Sequence, residues 1–152
     1  MIQAAVTTLA DLYEADETAW LETMADLIQR RRLADLDYPH LHEYLTDMAR
    51  RDRREVESRL AVLIAHVLKW LHQPDQRSRS WRATIVEQRQ ELADLTGRGV
   101  LRNHAEAVLP STYTKAVERV VAETGLAAES FPAECPYTLE QLLSADLLEG
   151  HS

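Results

Sequence analysis

Six histidines, one cysteine and a block of arginines are the residues of this chain able to do chemistry, and their spacing limits what kind. The histidines fall at 40, 42, 66, 72, 104 and 151, so no two stand four apart, the spacing that sets two imidazoles on one helix face. The Glu-x-x-His pair of di-iron bundles is also missing. Glu43, Asp47 and His66 are the one set worth testing for a metal; the sequence calls for neither a metal nor a cofactor. Cys135 stands between Glu134 and Pro136 with no His or Arg in sequence reach, a poor setting for a reactive thiolate.

His66 and Lys69 head the catalytic candidates. Positions 59, 62, 66, 69, 70 and 73 share one side of a helix, which groups Arg59, His66, Lys69, Trp70 and Gln73. Arg59 and Lys69 would depress the pKa of His66 by charge repulsion, leaving a neutral imidazole to accept a proton. The competing reading is a histidine hydrogen-bonded across a helical bundle, to Glu43 or Asp47 of another segment or chain. That reading weighs more, because no strong nucleophile or oxyanion nest accompanies the cluster.

A second group, Arg77-Ser78-Arg79-Ser80-Trp81-Arg82 with Arg89 beyond it, suits phosphate contact. Hydroxyls and guanidinium groups at a helix start add donors to a favourable dipole, and Trp81 offers a face for a base or a guanidinium. Arg59 and Trp70 would extend the same binding surface. The plainer alternative is a capped helix whose Trp81 is core and whose arginines pair with acidic flanks. Trp20, Trp70 and Trp81 read most simply as core anchors.

The elements that must position these residues are helical. The chain has 152 residues, 45% hydrophobic, with four Gly and one Cys, which suits one domain spanning 1–152 with its core at about 11–148. Its net charge of -8 is uneven: residues 1–48 carry -7, residues 49–89 carry +5 and residues 90–152 carry -6. A basic middle folded against acidic flanks is the leading reading, and an exposed basic surface the sharper one. No apolar stretch approaches the roughly 20 residues of a membrane span, and the acidic start lacks the basic region of a secretory signal, so a cytoplasmic protein without membrane contact is expected.

Periodicity and caps predict an all-α helical bundle of about five helices around a long central one. The first covers 17–32 after Asp16. Leu36-Asp37-Tyr38-Pro39-His40-Leu41 reads as the start of the central helix, with Asp37 as N-cap, running to about residue 72. Its apolar line is interrupted near Asp52, so this helix of about 50 Å either bends or breaks there, or one half projects onto a second chain. Pairs such as Asp47–Arg51, Arg51–Glu55 and Arg53–Glu57 favour continuity. Ser78 or Ser80 caps the next helix, which ends near 95. Another starts near 100, is restarted at Pro110 with Ser111 as cap, and stops at Gly125. Thr138-Leu-Glu-Gln141 is a capping box opening a short last helix.

Several ordered strings resemble a known bacterial family: Tyr-Glu-Ala-Asp-Glu-Thr-Ala-Trp at 13–20, Asp37 and Leu41, residues 58–70, residues 77–89 and residues 131–143. Together they are similar to the domain-of-unknown-function 29 family over about residues 11–148. The resemblance implies an α-helical domain with no established activity. Two places depart from the family pattern: Tyr44 replaces the second acid after Leu41, and Gly-Arg-Gly-Val-Leu at 97–101 replaces a Pro-Ser-Leu turn.

With no catalytic constellation complete, the balance favours a small interaction or regulatory module over an enzyme, bound to a protein partner or to itself through the long helix. An enzyme on a phosphate-containing substrate, with His66 as base and Lys69, Arg79, Arg82 and Arg89 holding the anion, is the alternative. A nucleic-acid-associated module is third.

Overall fold

The computed structural model describes residues 8–149. Among them there are six α-helices and no strand. The chain divides into two compact units, one running to Arg50 and the other starting at Arg51.

The first unit holds α1 (Leu9–Ala15), α2 (Glu17–Gln29), a 3-10 turn at Leu33–Asp35 and the opening of α3. The short α1 went unread in the sequence although its signal is there: Thr8 and Asp11 form a reciprocal capping box. Asp16 ends α1 and caps α2, its carboxylate accepting from the Ala19 N–H. α2 stops three residues earlier than expected. Arg31 takes a left-handed φ of 60°, with Arg31 N–H bonded to Ile28 O and Arg32 N–H to Leu27 O, the two bonds of a Schellman end.

α3 spans Tyr38–His72 without a break. Its start is as the sequence requires: Pro39 sits in the first turn, where its missing N–H costs nothing. The interruption at Asp52 does not end the helix, because Asp52 is simply exposed. Ion pairs Arg50–Asp47 and Arg59–Glu55 lie along its surface.

The second unit packs α3 from Arg51 onward with α4 (Arg79–Leu95), α5 (Gly99–Thr124) and α6 (Leu139–Leu143). Its core is a single cluster in which Leu60, Ile64 and Leu68 of α3 join Ile85 and Leu92 of α4, Tyr113 and Val120 of α5, and Leu142 of α6. Each such side chain contributes about 1.5–3 kcal/mol by leaving water.

Two boundaries are settled by the packing. Ser78 is the α4 cap, its hydroxyl accepting from Trp81 N–H, so Ser80 lies inside the helix. α5 is not restarted at Pro110 but runs straight through it. Ala105, Leu109, Tyr113, Ala116 and Val120 bury one continuous stripe across the proline, and that burial outweighs one lost backbone bond. Ser111 turns its hydroxyl back to Val108 O instead of capping.

Candidate functional site

Helical spacing alone had grouped Arg59, His66, Lys69 and Trp70, yet the second unit gives each a different partner. Arg59 donates to Glu55 at 3.0 Å and to Gln88 of α4 at 3.2 Å. Gln88 falls between Ile85 and Leu92, both buried on α4, and this bond gives its amide oxygen a partner. Lys69 is buried and meets Glu123 of α5 at 2.9 Å, while its ammonium lies 5.2 Å from the centroid of the Trp81 ring. Arg77 donates to the Trp70 carbonyl at 2.8 Å and sets its guanidinium 4.9 Å from that residue's ring centroid. Two cation–π contacts therefore tie the α3 end to the α4 start. Neither Trp70 nor Trp81 is fully buried, and the Trp70 indole N–H has no hydrogen-bond partner among the described residues.

His66 has its Nδ1 2.9 Å from the Val62 carbonyl on its own helix. A carbonyl only accepts, so Nδ1 carries the proton and Nε2 is the bare acceptor. Burial pulls the His66 pKa down and, although the Val62 bond opposes this, Lys69 and Arg119 push the same way as burial. The shift has the direction expected from the sequence, but desolvation leads the cause, and Arg119 stands where Arg59 was expected. The hydrogen bond the structure gives His66 is this local one with Val62.

A cleft of about 390 Å³ is lined by Lys69, Gln73, Gln76, Trp81, Glu123 and Thr124. The structure thus brings Lys69 and Trp81 together and leaves His66 outside that lining. Glu123 accepts from Arg119 at 2.8 Å as well as from Lys69, and these two bonds hold its carboxyl below the ordinary range. The cationic Lys69 is therefore neutralised within the fold, which lowers its value as an anion holder. Glu123 and Arg119 escaped the sequence reading because Glu123 is 54 residues from Lys69, beyond any local pattern.

Arg79, Ser80 and Arg82 are exposed on α4, and among the described residues the two arginines form no ion pair or hydrogen bond. Arg89 is half-buried on the same helix. The basic middle is thus partly neutralised by acidic flanks, through Lys69, and partly open to solvent. Among the described residues no three His, Cys, Asp or Glu groups stand together as metal ligands. His151 lies outside the described residues.

The first unit holds a separate polar cluster around Trp20, which is fully buried. Its indole N–H donates to Asp37 Oδ2 at 3.1 Å, and His40 Nδ1 lies 2.8 Å from the same oxygen. Partial burial pushes the Asp37 pKa up, but the bonds from His40 and Trp20 outweigh it and hold it below the ordinary value. Tyr13 packs edge-on to Trp20 and tilted to His40, at 4.7 and 4.5 Å between centroids. Asp37 thus serves as more than a cap, since it also fixes the unit's main core residue.

Fold and site define an all-helical protein with a polar cleft at Lys69, Trp81 and Glu123 on the second unit and a tryptophan-centred first unit. The chain belongs to the family described as domain of unknown function DUF29, whose model matches residues 12–148. No curated protein and no solved structure matches it. No helix among the described residues is long and apolar enough to cross a membrane.

Proposed function

We propose that the protein is a small cytoplasmic interaction module that self-associates through the apolar face of its first unit. The observation that carries this is the location of exposed apolar side chains. Ile28, Leu33, Tyr38 and Leu45 are 47–60% exposed, and of the large exposed hydrophobics only Val100 lies elsewhere among the described residues. Exposed apolar side chains concentrated in one unit suit an interaction surface, since contiguous apolar patches on soluble proteins are often functional.

The second copy is favoured as occupant by spacing. Tyr38, Leu41, Leu45 and Met48 recur at intervals of three and four, the a/d seam of a coiled coil, which fits another copy of itself. Within the described part of this unit only Trp20 and Met24 are buried, so its own helices leave much of the apolar side chain area uncovered. Static light scattering across a concentration series tests the reading. A dimer is expected, with Leu45→Glu weakening it at least tenfold, since the change removes a seam contact and inserts a charge. A monomer at every concentration would reject self-association.

A second reading has one specific support: Arg79 and Arg82 are exposed and unpaired among the described residues. They suit an RNA or DNA backbone. Filter binding with a single-stranded oligonucleotide at two salt concentrations tests it, because backbone binding must fall steeply with salt.

A further inference from the structure

α4 buries Ile85 and Leu92 in the core of the second unit and leaves its opposite side without a neighbour. There Ala83, Gln90 and Ala93 are exposed and Val86 is half-buried. A hollow of about 410 Å³ on that side is lined by Arg79, Arg82, Ala83, Val86, Glu87 and Gln90, all of them residues of α4 itself. Ala83, Val86, Gln90 and Ala93 follow one another at intervals of three, four and three, the spacing of a coiled-coil seam.

The charges beside this seam are ones that α4 cannot use alone. Arg82 and Arg89 border it on one edge and Glu87 and Asp94 on the other, each arginine five residues ahead of an acid. Pairs within one helix need a spacing of three or four. None of these four side chains has an ion pair or hydrogen bond among the described residues. The helix dipole does not account for them either. α4 has no acid in its first turn and no base in its last. Arg79 and Arg82 stand at its positive end and Asp94 at its negative end, the reverse of the favourable order.

A second copy of the chain supplies both missing partners. In a parallel helix pair, the residue just ahead of a seam position faces the one five further on in the other helix. Arg82 then meets Glu87 of the second copy and Arg89 meets its Asp94, each contact occurring twice by symmetry. An antiparallel pair would match each edge with itself, setting Arg82 against Arg89 and Glu87 against another Glu87.

From this agreement of spacing and charge, we propose that two copies of the chain join by parallel pairing of α4 along Ala83, Val86, Gln90 and Ala93. The small Ala83 and Ala93 let the helices approach closely, and Val86 packs on its own counterpart. The Gln90 amide has no partner among the described residues, and two of them facing across the seam fix the register. Arg79, the next position outward, would meet its own copy and so ends the seam. This surface is separate from the apolar face of the first unit and does not rest on it. A nucleic-acid backbone would gain Arg79 and Arg82 but meet Glu87 between the strands of the seam, whereas a second copy uses both signs of charge.

The full chain carrying Leu45→Glu, which disables the first-unit face, isolates this surface. Sedimentation equilibrium up to about 1 mM is expected to show it as a monomer–dimer mixture. Adding Glu87→Arg is expected to weaken the dimer about tenfold, because two symmetry-related attractions become repulsions. Adding Arg82→Glu as well exchanges the two charges and is expected to restore the dimer. Arg82 and Glu87 are exposed, so neither change puts folding at stake. Ala93→Cys, also at an exposed position, tests direction. Parallel seams bring residue 93 to its own copy, and an oxidised cross-linked dimer is expected. An antiparallel seam would hold the two about 15 Å apart. If Leu45→Glu alone abolishes association, the first-unit reading stands and this proposal falls. If Leu45→Glu changes nothing while Glu87→Arg acts, the outcome is the reverse. Failure of the charge exchange to restore the dimer, or of Ala93→Cys to cross-link, would also overturn the proposal. A monomer that binds a single-stranded oligonucleotide would overturn it in favour of nucleic acid on the same face.

Discussion

Lys69 of α3 and Glu123 of α5 meet at 2.9 Å, with the lysine 8% exposed overall and the glutamate side chain 38% exposed. Removing one member of such a pair leaves the other with its desolvation uncompensated. Glu123→Ala is therefore expected to destabilise by about 2 kcal/mol, a figure reduced from the fully buried case because Glu123 keeps contact with water. Lys69→Met keeps the aliphatic packing and abolishes the buried charge, so it is expected to cost less. Urea unfolding of the two variants checks the order, and equal losses would contradict this account.

Asp37 joins three roles on one side chain: it approaches the His40 N–H at the start of α3, pairs with the His40 ring and accepts from the Trp20 indole. Asp37→Ala is expected to cost about 2–3 kcal/mol, combining a lost cap with a buried indole N–H left unpaired. The change in Trp fluorescence on unfolding follows it directly. A loss below about 0.5 kcal/mol would show that Trp20 is held by packing alone.

The C-terminal end of α2 carries a residue in a conformation that glycine adopts freely. Arg31 has φ 60° and its side chain is exposed. Arg31→Gly is expected to stabilise by about 1 kcal/mol, because it relieves the left-handed penalty within an intact Schellman end. Thermal unfolding reads this as a rise in Tm; a fall would mean that the arginine side chain contributes more than its backbone costs.

Acid is expected to weaken the fold in two stages. His66 and His72 have pKa values lowered by burial from the ordinary 6.5. The unfolded chain therefore takes up their protons first, and stability declines as pH falls below about 6.5. Asp37 and Glu123 are lowered from 3.8 and 4.5, so their stabilisation is complete above those values and is lost as pH falls through the depressed folded ones. Urea midpoints from pH 8 to pH 3 would trace both stages, and His66→Asn should flatten part of the first.

Much of the local structure was legible because it is written in short-range chemistry. Asp16, Asp37, Ser78 and Thr138 announce helix starts through side chains that reach N–H groups three residues on. Gly125 announces an end through its left-handed φ of 75°. The family resemblance rests on strings of the same kind, and the match over residues 12–148 agrees with it. Pro110 misled for an instructive reason: a proline's local cost is visible in sequence, whereas the buried stripe that offsets it belongs to the packed unit.

The candidate site was legible only as an inventory. Residue types and helical phase placed Arg59, His66, Lys69 and Trp70 on one face, but a face of a helix is wide and its neighbours differ along its length. Arg59 went to Gln88, Lys69 to Glu123 and Trp70 to Arg77. Spacing likewise could not show that the Tyr113 hydroxyl is committed to Pro132 O.

The sequence by itself determined an all-helical chain, where most helices start, and which stripes turn inward, since propensity, capping and apolar period act over a few residues. Only the tertiary structure decided which charges are neutralised, how far His66 is shielded from water and where clefts open. Those outcomes depend on residues 29–54 positions apart meeting within about 3 Å, and on water being excluded around them, neither of which any local pattern encodes.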